Sequence, residues 1–186
     1  DIKLRYLWKN KSIYMQPRTA QNSLAVSTHI VLPNDTNFHD NLFGGMLMSW
    51  VDIIASVAAR RHCNKQVVTA SINSISFDKP IRLGDTVTLE AKVSRAFSSS
   101  MEIFIDVWVQ NLRTGIKHKS NEAISTFVAL DDDGKPCKVP ELIPETDEEK
   151  QRFESALRRK QLSLILAKRM KPKDANELKA LFLDEN

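Results

Sequence analysis

The sequence predicts an α+β fold: a curved antiparallel sheet wrapped around one long central helix, with extra C-terminal helices. Three observations carry this. One helix-length stretch, Met46 to His62, is apolar on almost every side. One strand precedes it and four long strands follow it. The C-terminal part then changes to charged, amphipathic helical periodicity. A helix that is apolar nearly all round is buried on most sides. A curved sheet is the packing solution that covers it.

The elements follow in order. Residues 1–22 show little periodicity, but Leu4, Tyr6, Leu7, Trp8 and Tyr14 are apolar enough to pack on something, such as a neighbouring subunit. Ser23 to Leu32 reads as a strand with Leu24, Val26, Ile30 and Leu32 on one parity. Pro33 to Gly45 is a loop rich in Asn, Asp and Gly. Within the helix that follows, Ser49, Asp52, Ser56 and Arg60 are spaced three, four and four apart and form one polar stripe. A carboxylate thus sits in the middle of an otherwise apolar helix.

Val67 to Phe77 is the next strand, and its parity shift between Ile72 and Ile75 predicts a bulge. Thr86 to Phe97 alternates with Val87, Leu89, Ala91 and Val93 on one face. Met101 to Gln110 does the same with Met101, Ile103, Ile105, Val107 and Val109. Ile116 to Leu130 is the last long strand, ended by Asp131-Asp132-Asp133-Gly134. Thr146 with Glu149 forms a capping-box pattern before a helix to about Lys168, which Pro172 stops. Asp174 with Glu177 opens a short last helix. Phe153, Leu157 and Leu164 give the first of these helices an apolar side. The expected organisation is an arm over 1–22, a core domain over 23–131 and a helical extension over 132–186. This is the hotdog architecture as a physical expectation.

Length and composition bound the function. The 186 residues fit one domain with appendages. Hydrophobic residues at 42% and charged residues at 27% exclude a disordered chain. The longest apolar run falls far below the ~18 residues that span a bilayer, and no secretory leader is visible before Asp40. Cys63 and Cys137 make no CxxC and no disulfide framework, so a reduced, cytoplasmic setting is expected. The net charge of +4 is uneven: +4 in residues 1–22, −2 in 23–145 and +2 in 146–186. A basic arm on a slightly acidic core is a solvated extension rather than a nucleic-acid grip. His29, His39, His62 and His118 show no metal-ligand spacing with each other or with the cysteines, so no metal site is expected. No GxSxG, Walker A or GxGxxG pattern is present, which leaves a serine nucleophile unsupported.

The candidate site is the run DTNFHDNLFGGMLMSWVD, Asp35 to Asp52. Gly44-Gly45 precede the helix and let a substrate approach the backbone closely. The first helical N–H groups lack intrahelical partners and carry the positive end of the dipole, so they suit a carbonyl oxygen that becomes negative. The pair alone is also what an ordinary turn would use. Asp52 adds to it, because a buried carboxylate needs hydrogen bonds, a cation or a chemical role. A structural aspartate bonded to backbone, Ser49 or Ser56 is the plain alternative.

Asn37, Gly44-Gly45 and Asp52 resemble the active-site segment of hotdog-fold acyl-CoA thioesterases. The runs VVTASINSISFDKPIRLGD (Val67 to Asp85) and SSSMEI (Ser98 to Ile103) are similar to the brain-type acyl-CoA hydrolase group and its single-hotdog bacterial relatives. The resemblance covers roughly Ser23 to Leu130. It implies hydrolysis of an acyl-CoA to CoA and a carboxylic acid, with no cofactor because CoA is part of the substrate. It implies Asn37 and Asp52, fifteen positions apart, as the catalytic pair, which in such enzymes can come from different subunits. Asp52 would be general base on water or nucleophile, Asn37 would orient water or an intermediate, and the Gly45 N–H would polarise the carbonyl. It also places Lys79, Arg95, Ser99 and Ser100 near the CoA nucleotide. Many relatives carry His before Gly-Gly where this chain has Phe43, and the eukaryotic members carry two hotdog units where this chain has one. Assembly as a homodimer, and by resemblance a trimer of dimers, would supply the second half. Neither a nucleic-acid nor a membrane partner is expected.

A non-catalytic acyl-CoA sensor or scaffold on the same fold is the competing reading, and the Asn37–Asp52 pair favours the enzyme over it. A hotdog dehydratase would want a histidine facing the acyl chain, where His39 is poorly placed. Met46, Met48, Trp50 and Phe77 are candidates to line or fill an acyl tunnel.

Overall fold

The computed structural model describes residues 15–75 and 80–183. Lys79, Phe77 and the arm residues Leu4, Tyr6, Leu7, Trp8 and Tyr14 lie outside the described residues.

Five strands form the sheet: β2 (Ala25–Ile30), β3 (Gln66–Ile75), β4 (Thr86–Ala96), β5 (Ser100–Gln110) and β6 (Lys117–Leu130). Their order is β2-β4-β5-β6-β3, and every neighbouring pair is antiparallel. Two short strands, β1 (Arg18–Thr19) and β7 (Leu142–Ile143), pair in parallel and tie the segment before the sheet to the segment after it. The central helix α1 (Gly44–Cys63) lies on one face of the sheet. Its Leu47, Val51, Ala55 and Ala58 are at most 1% exposed. The same core takes in the alternating residues of β4 (Val87, Leu89, Ala91, Val93) and of β5 (Met101, Ile103, Ile105, Val107, Val109), the two inward faces the pattern predicts. Each fully buried aliphatic side chain here contributes roughly 1.5–3 kcal/mol. The helix stops at Asn64, which takes a left-handed φ of 52° and donates its N–H to Arg60 O at 2.8 Å.

The other face of the sheet is covered as well. Helix α2 (Asp147–Leu166) starts at the predicted capping box: Thr146 Oγ1 accepts from Glu149 N at 3.2 Å, and Glu149 Oε2 accepts from Thr146 N at 3.3 Å. It crosses β4 and β5 and pairs with their outward polar residues. Arg152 meets Asp106 through two 3.0 Å bonds, and Arg159 meets Glu102 at 3.0 and 2.7 Å. Both forks are bidentate, the strongest geometry available to this ion pair. Glu102 is therefore buried although it alternates away from the core. Beyond α2, Lys168 turns the chain at a φ of 56°, Pro172 opens a short 3₁₀ turn rather than stopping the helix, and α3 (Asn176–Leu183) closes the described chain.

One expectation is corrected. The strand over Ser23 to Leu32 is shorter, and its apolar parity points outward: Val26, Ile30 and Leu32 are 53–56% exposed, whereas Ala25 is buried. The inner side faces the helix: Ala25 is buried there and His29 stacks on Trp50 at 4.3 Å between ring centroids. The central helix is buried on most sides, with Met48 and Ile53 its exposed apolar residues. The predicted bulge in β3 is present, with register shifts between Thr69 and Ser71 and between Ile72 and Ser74.

Candidate functional site

The loop before α1 is pinned at Asn37. Its backbone N–H donates to Asn41 O at 2.8 Å, and its carbonyl accepts from Asp40 N at 3.0 Å. Its side-chain Oδ1 accepts from His39 N at 2.9 Å and from Asn41 N at 3.4 Å, an Asx-type turn. The amide oxygen is thus occupied, and Nδ2 is left as a donor with no acceptor among the described residues. Asp40 reaches the left-handed φ of 56° that closes the loop. Leu42 N to Ile81 O at 2.7 Å and Leu83 N to Asp40 O at 3.0 Å fasten it to the turn before β4. His39 is exposed, its ring 4.4 Å from that of Phe38.

Gly44 and Gly45 do not precede the helix; they are its first two residues, with Phe43 as N-cap and no side-chain cap. Among the described residues neither glycine N–H has an acceptor, while Met46 N and Leu47 N both reach Phe43 O. The Phe43 ring lies over Gly45: a Cβ there would stand 2.6 Å from its Cε1. The ring occupies the position directly before Gly-Gly, beside the free donors.

Asp52 is half-buried rather than buried in this chain. Its Oδ1 accepts a 2.8 Å hydrogen bond from Thr69 Oγ1, on the edge strand β3 just before the first bulge. Neither serine of the polar stripe holds it; Ser56 Oγ donates to Ile53 O instead. Asp52 lies seven residues after Gly45, on the same helix face and about 10 Å along the axis at ~1.5 Å per residue. No hydrogen bond joins Asn37 to Asp52. Thr69 escapes a reading of the sequence alone, because a lone threonine in a strand carries no distinguishing pattern.

The residues expected at the nucleotide make the following contacts within the chain. Arg95 turns to α2: its Nη1 donates to Phe153 O at 2.8 Å and its guanidinium lies 4.0 Å from the Phe153 ring centroid. Burial lowers its pKa, against the neighbouring Glu177 and Glu102. Ser100 is buried, and its hydroxyl accepts from Lys160 Nζ at 3.0 Å. Ser99 is half-buried and its carbonyl accepts from Ala129 N at 2.9 Å. Among the tunnel candidates, Trp50 is buried against His29 and Met48 is exposed. Among the described residues no group of three or more His, Cys, Asp or Glu could hold a metal ion, and no helix is long and apolar enough to cross a membrane.

The thioesterase superfamily profile matches residues 39–116, which hold the helix start and Asp52. The uncharacterized acyl-CoA thioester hydrolase YkhA of Bacillus subtilis is 46% identical over 144 residues, covering 77% of this chain and 84% of that one. This chain belongs to the thioesterase superfamily. Solved thioesterases of the superfamily share its fold. A hexameric acyl-CoA thioesterase in its apo form superposes with a TM-score of 0.79 at 38% identity, over 82% of this chain and 98% of that one. The acyl-CoA hydrolase of Staphylococcus aureus, solved with butyryl-CoA, CoA and CoA disulfide, gives 0.75 at 38% identity over 88% and 98%. Solved variants of that enzyme replace an aspartate, an asparagine or a threonine by alanine. The aspartate lies fifteen residues after the asparagine, and the threonine seventeen after the aspartate.

Proposed function

We propose that the chain hydrolyses acyl-CoA thioesters to CoA and a carboxylic acid, with Asp52, Asn37 and Gly45 as its catalytic groups. The observation that carries this is the Asp52 carboxylate held by Thr69 Oγ1 at 2.8 Å on the helix whose first two N–H groups have no acceptor among the described residues. The intervals Asn37 to Asp52 and Asp52 to Thr69 equal those between the three residues substituted in the S. aureus hydrolase.

In this reading the thioester carbonyl sits at the Gly45 N–H. Asp52 takes a proton from water as the water oxygen bonds to the carbonyl carbon. The negative oxygen that forms is stabilised by Gly45 N–H, a contribution on the order of 3 kcal/mol for such a donor. Asn37 can only donate, since its Oδ1 is already engaged, so its Nδ2 orients the water or the tetrahedral intermediate. The C–S bond then breaks, and the leaving thiolate recovers the proton from Asp52. CoA enters and leaves as part of the substrate and no cofactor takes part.

One chain does not complete the site. Two helical turns separate Asp52 from the Gly45 on its own helix, whereas reacting groups need contact at roughly 3–3.5 Å. A second copy closes this gap, with Asn37 and Gly45 from one chain and Asp52 from its neighbour. The edge strand β3 and the exposed Ile53 and Met48 of α1 offer the surface for it. A homodimer is the smallest active unit, and a trimer of dimers agrees with the hexameric thioesterases of similar fold. The unpaired thiols of Cys63 and Cys137 suit a reducing, cytoplasmic setting.

The test is CoA release from a ladder of acyl-CoA chain lengths, with wild type and Asp52→Ala side by side. We expect turnover by wild type and a loss of about 10²–10⁴-fold in kcat in the variant, with the assembly intact by light scattering. Tight binding of acyl-CoA without turnover at any chain length would replace the enzyme by a sensor.

A further inference from the structure

Phe43 carries an apolar side chain that the core does not use. Its backbone is fixed on both sides: its N–H donates to Asp35 O at 2.8 Å, and its carbonyl accepts from Met46 N at 2.9 Å and from Leu47 N at 3.2 Å. As N-cap of α1 it offers the helix no side-chain acceptor. Leu42 and Leu47 hold the two positions whose apolar contact fixes the entry of a helix, and both are buried in the core. The Phe43 ring is outside that core and 58% exposed.

The ring nevertheless has a fixed place. It lies on Gly45, where a Cβ would stand 2.6 Å from Cε1, 3.2 Å from Cδ1 and 3.4 Å from Cζ. No left-handed φ asks for glycine at that position, and glycine is the poorer choice inside a helix. The close approach of the ring is what only glycine admits. Standard geometry puts a Cβ about 2.5 Å from its own N, so the ring edge comes within about 5 Å of Gly45 N. That N–H has no acceptor among the described residues. A carbonyl oxygen bound to it at about 3 Å brings the carbons attached to that carbonyl into reach of the ring. Met48, one turn after Gly44 and 42% exposed, adds apolar surface on that side of the helix.

We infer that Phe43 is a specificity-determining residue: its ring packs on the first carbons of the acyl chain beyond the thioester carbonyl and selects hydrocarbon acyl groups over those with a polar substituent there. This rests on the thioester placement proposed above. The acyl chain is the all-hydrocarbon part of the substrate, since the pantetheine arm on the other side of the sulfur carries amides. An aromatic face gains by covering hydrocarbon and gives a hydroxyl no acceptor in exchange for water. Each methylene covered is worth about fourfold in kcat/KM.

The experiment compares wild type, Phe43→Ala and Phe43→His, each checked for assembly by light scattering, on acetyl-CoA, butyryl-CoA and 3-hydroxybutyryl-CoA. Histidine keeps a flat ring with a polar edge, so it carries the test if the alanine variant does not assemble. In wild type kcat/KM favours butyryl- over 3-hydroxybutyryl-CoA. Both variants lower that preference about tenfold through slower butyryl-CoA turnover, and acetyl-CoA, with a single methyl to cover, changes far less. An unmoved preference, or an equal loss on acetyl-CoA, overturns the role. Two ketones that keep the carbonyl and cannot be hydrolysed, S-(2-oxopentyl)-CoA and S-(4-hydroxy-2-oxopentyl)-CoA, are titrated calorimetrically in parallel. The variants lose about tenfold of the wild-type preference for the first. Absence of wild-type turnover on every thioester would instead overturn the thioesterase reading. The titrations would then still decide Phe43, whose role falls if all three proteins bind the two ketones in the same ratio.

Discussion

A threonine hydroxyl donated to a carboxylate fixes its rotamer and stabilises its charge. Thr69 does both for Asp52, and it reaches across from the edge strand rather than from the helix that carries the aspartate. A hydrogen bond to a charged group contributes roughly 1.5–3 kcal/mol. Thr69→Val keeps the shape and removes the donor, so we expect kcat to fall at least about tenfold with the assembly unchanged, and Thr69→Ser to recover most of it. His62 acts on stability instead. It is fully buried, its Nε2 bonds Pro140 O at 2.9 Å, and its Nδ1 has no partner among the described residues. Burial lowers its pKa, opposed by the Pro140 bond, and the nearby Arg18 charge lowers it further. The folded state therefore holds a neutral ring, while the unfolded chain takes up a proton near the ordinary pKa of 6.5. Stability is fully present above that pH and is lost as the pH falls below it. Urea midpoints from pH 8 to pH 5 should drop for wild type and drop less for His62→Gln, which keeps a donor for Pro140.

At the scale of elements, α1 and α2 treat the sheet differently. The α1 face is a dry apolar contact legible as periodicity. The α2 face is joined by Arg152–Asp106, Arg159–Glu102 and Arg95 on Phe153, contacts between residues 46 to 58 positions apart. Nothing local to Arg95 announces its contact with α2; only the arrival of Phe153 beside it makes one. We expect Arg95→Met to lower the thermal midpoint, by the equivalent of about 1–2 kcal/mol for one hydrogen bond and one cation–π contact, and to leave KM for acyl-CoA unchanged. A raised KM with an unchanged midpoint would place Arg95 at the nucleotide.

For the whole molecule the site depends on how copies meet. Mixed assembly of Asn37→Ala chains with Asp52→Ala chains separates the two arrangements. If each site takes Asn37 from one chain and Asp52 from the next, half of randomly mixed dimers hold one intact site, and about a quarter of wild-type activity returns. If both residues serve from the same chain, every site lacks one of them and no activity returns.

Much of this was legible in the residues. The inward faces of β4 and β5, the bulge in β3, the capping box of α2 and the glycine pair at the start of α1 are local patterns, written at spacings of two, three or four residues. Burial on one side and backbone hydrogen bonding act at those spacings, so the sequence by itself determined them, along with the order of elements that wraps the sheet around α1. The outward parity of Val26 and Ile30, the half-exposure of Asp52, its bond to Thr69 and the contact of Arg95 with α2 come from packing between elements. Each depends on which surface arrives from far along the chain. Trp50 fills the space beneath β2, Phe153 meets Arg95, and β3 brings a hydroxyl to Asp52. A side chain's periodicity names the face it sits on, but its partner is set by packing between elements, and no spacing within one element encodes that.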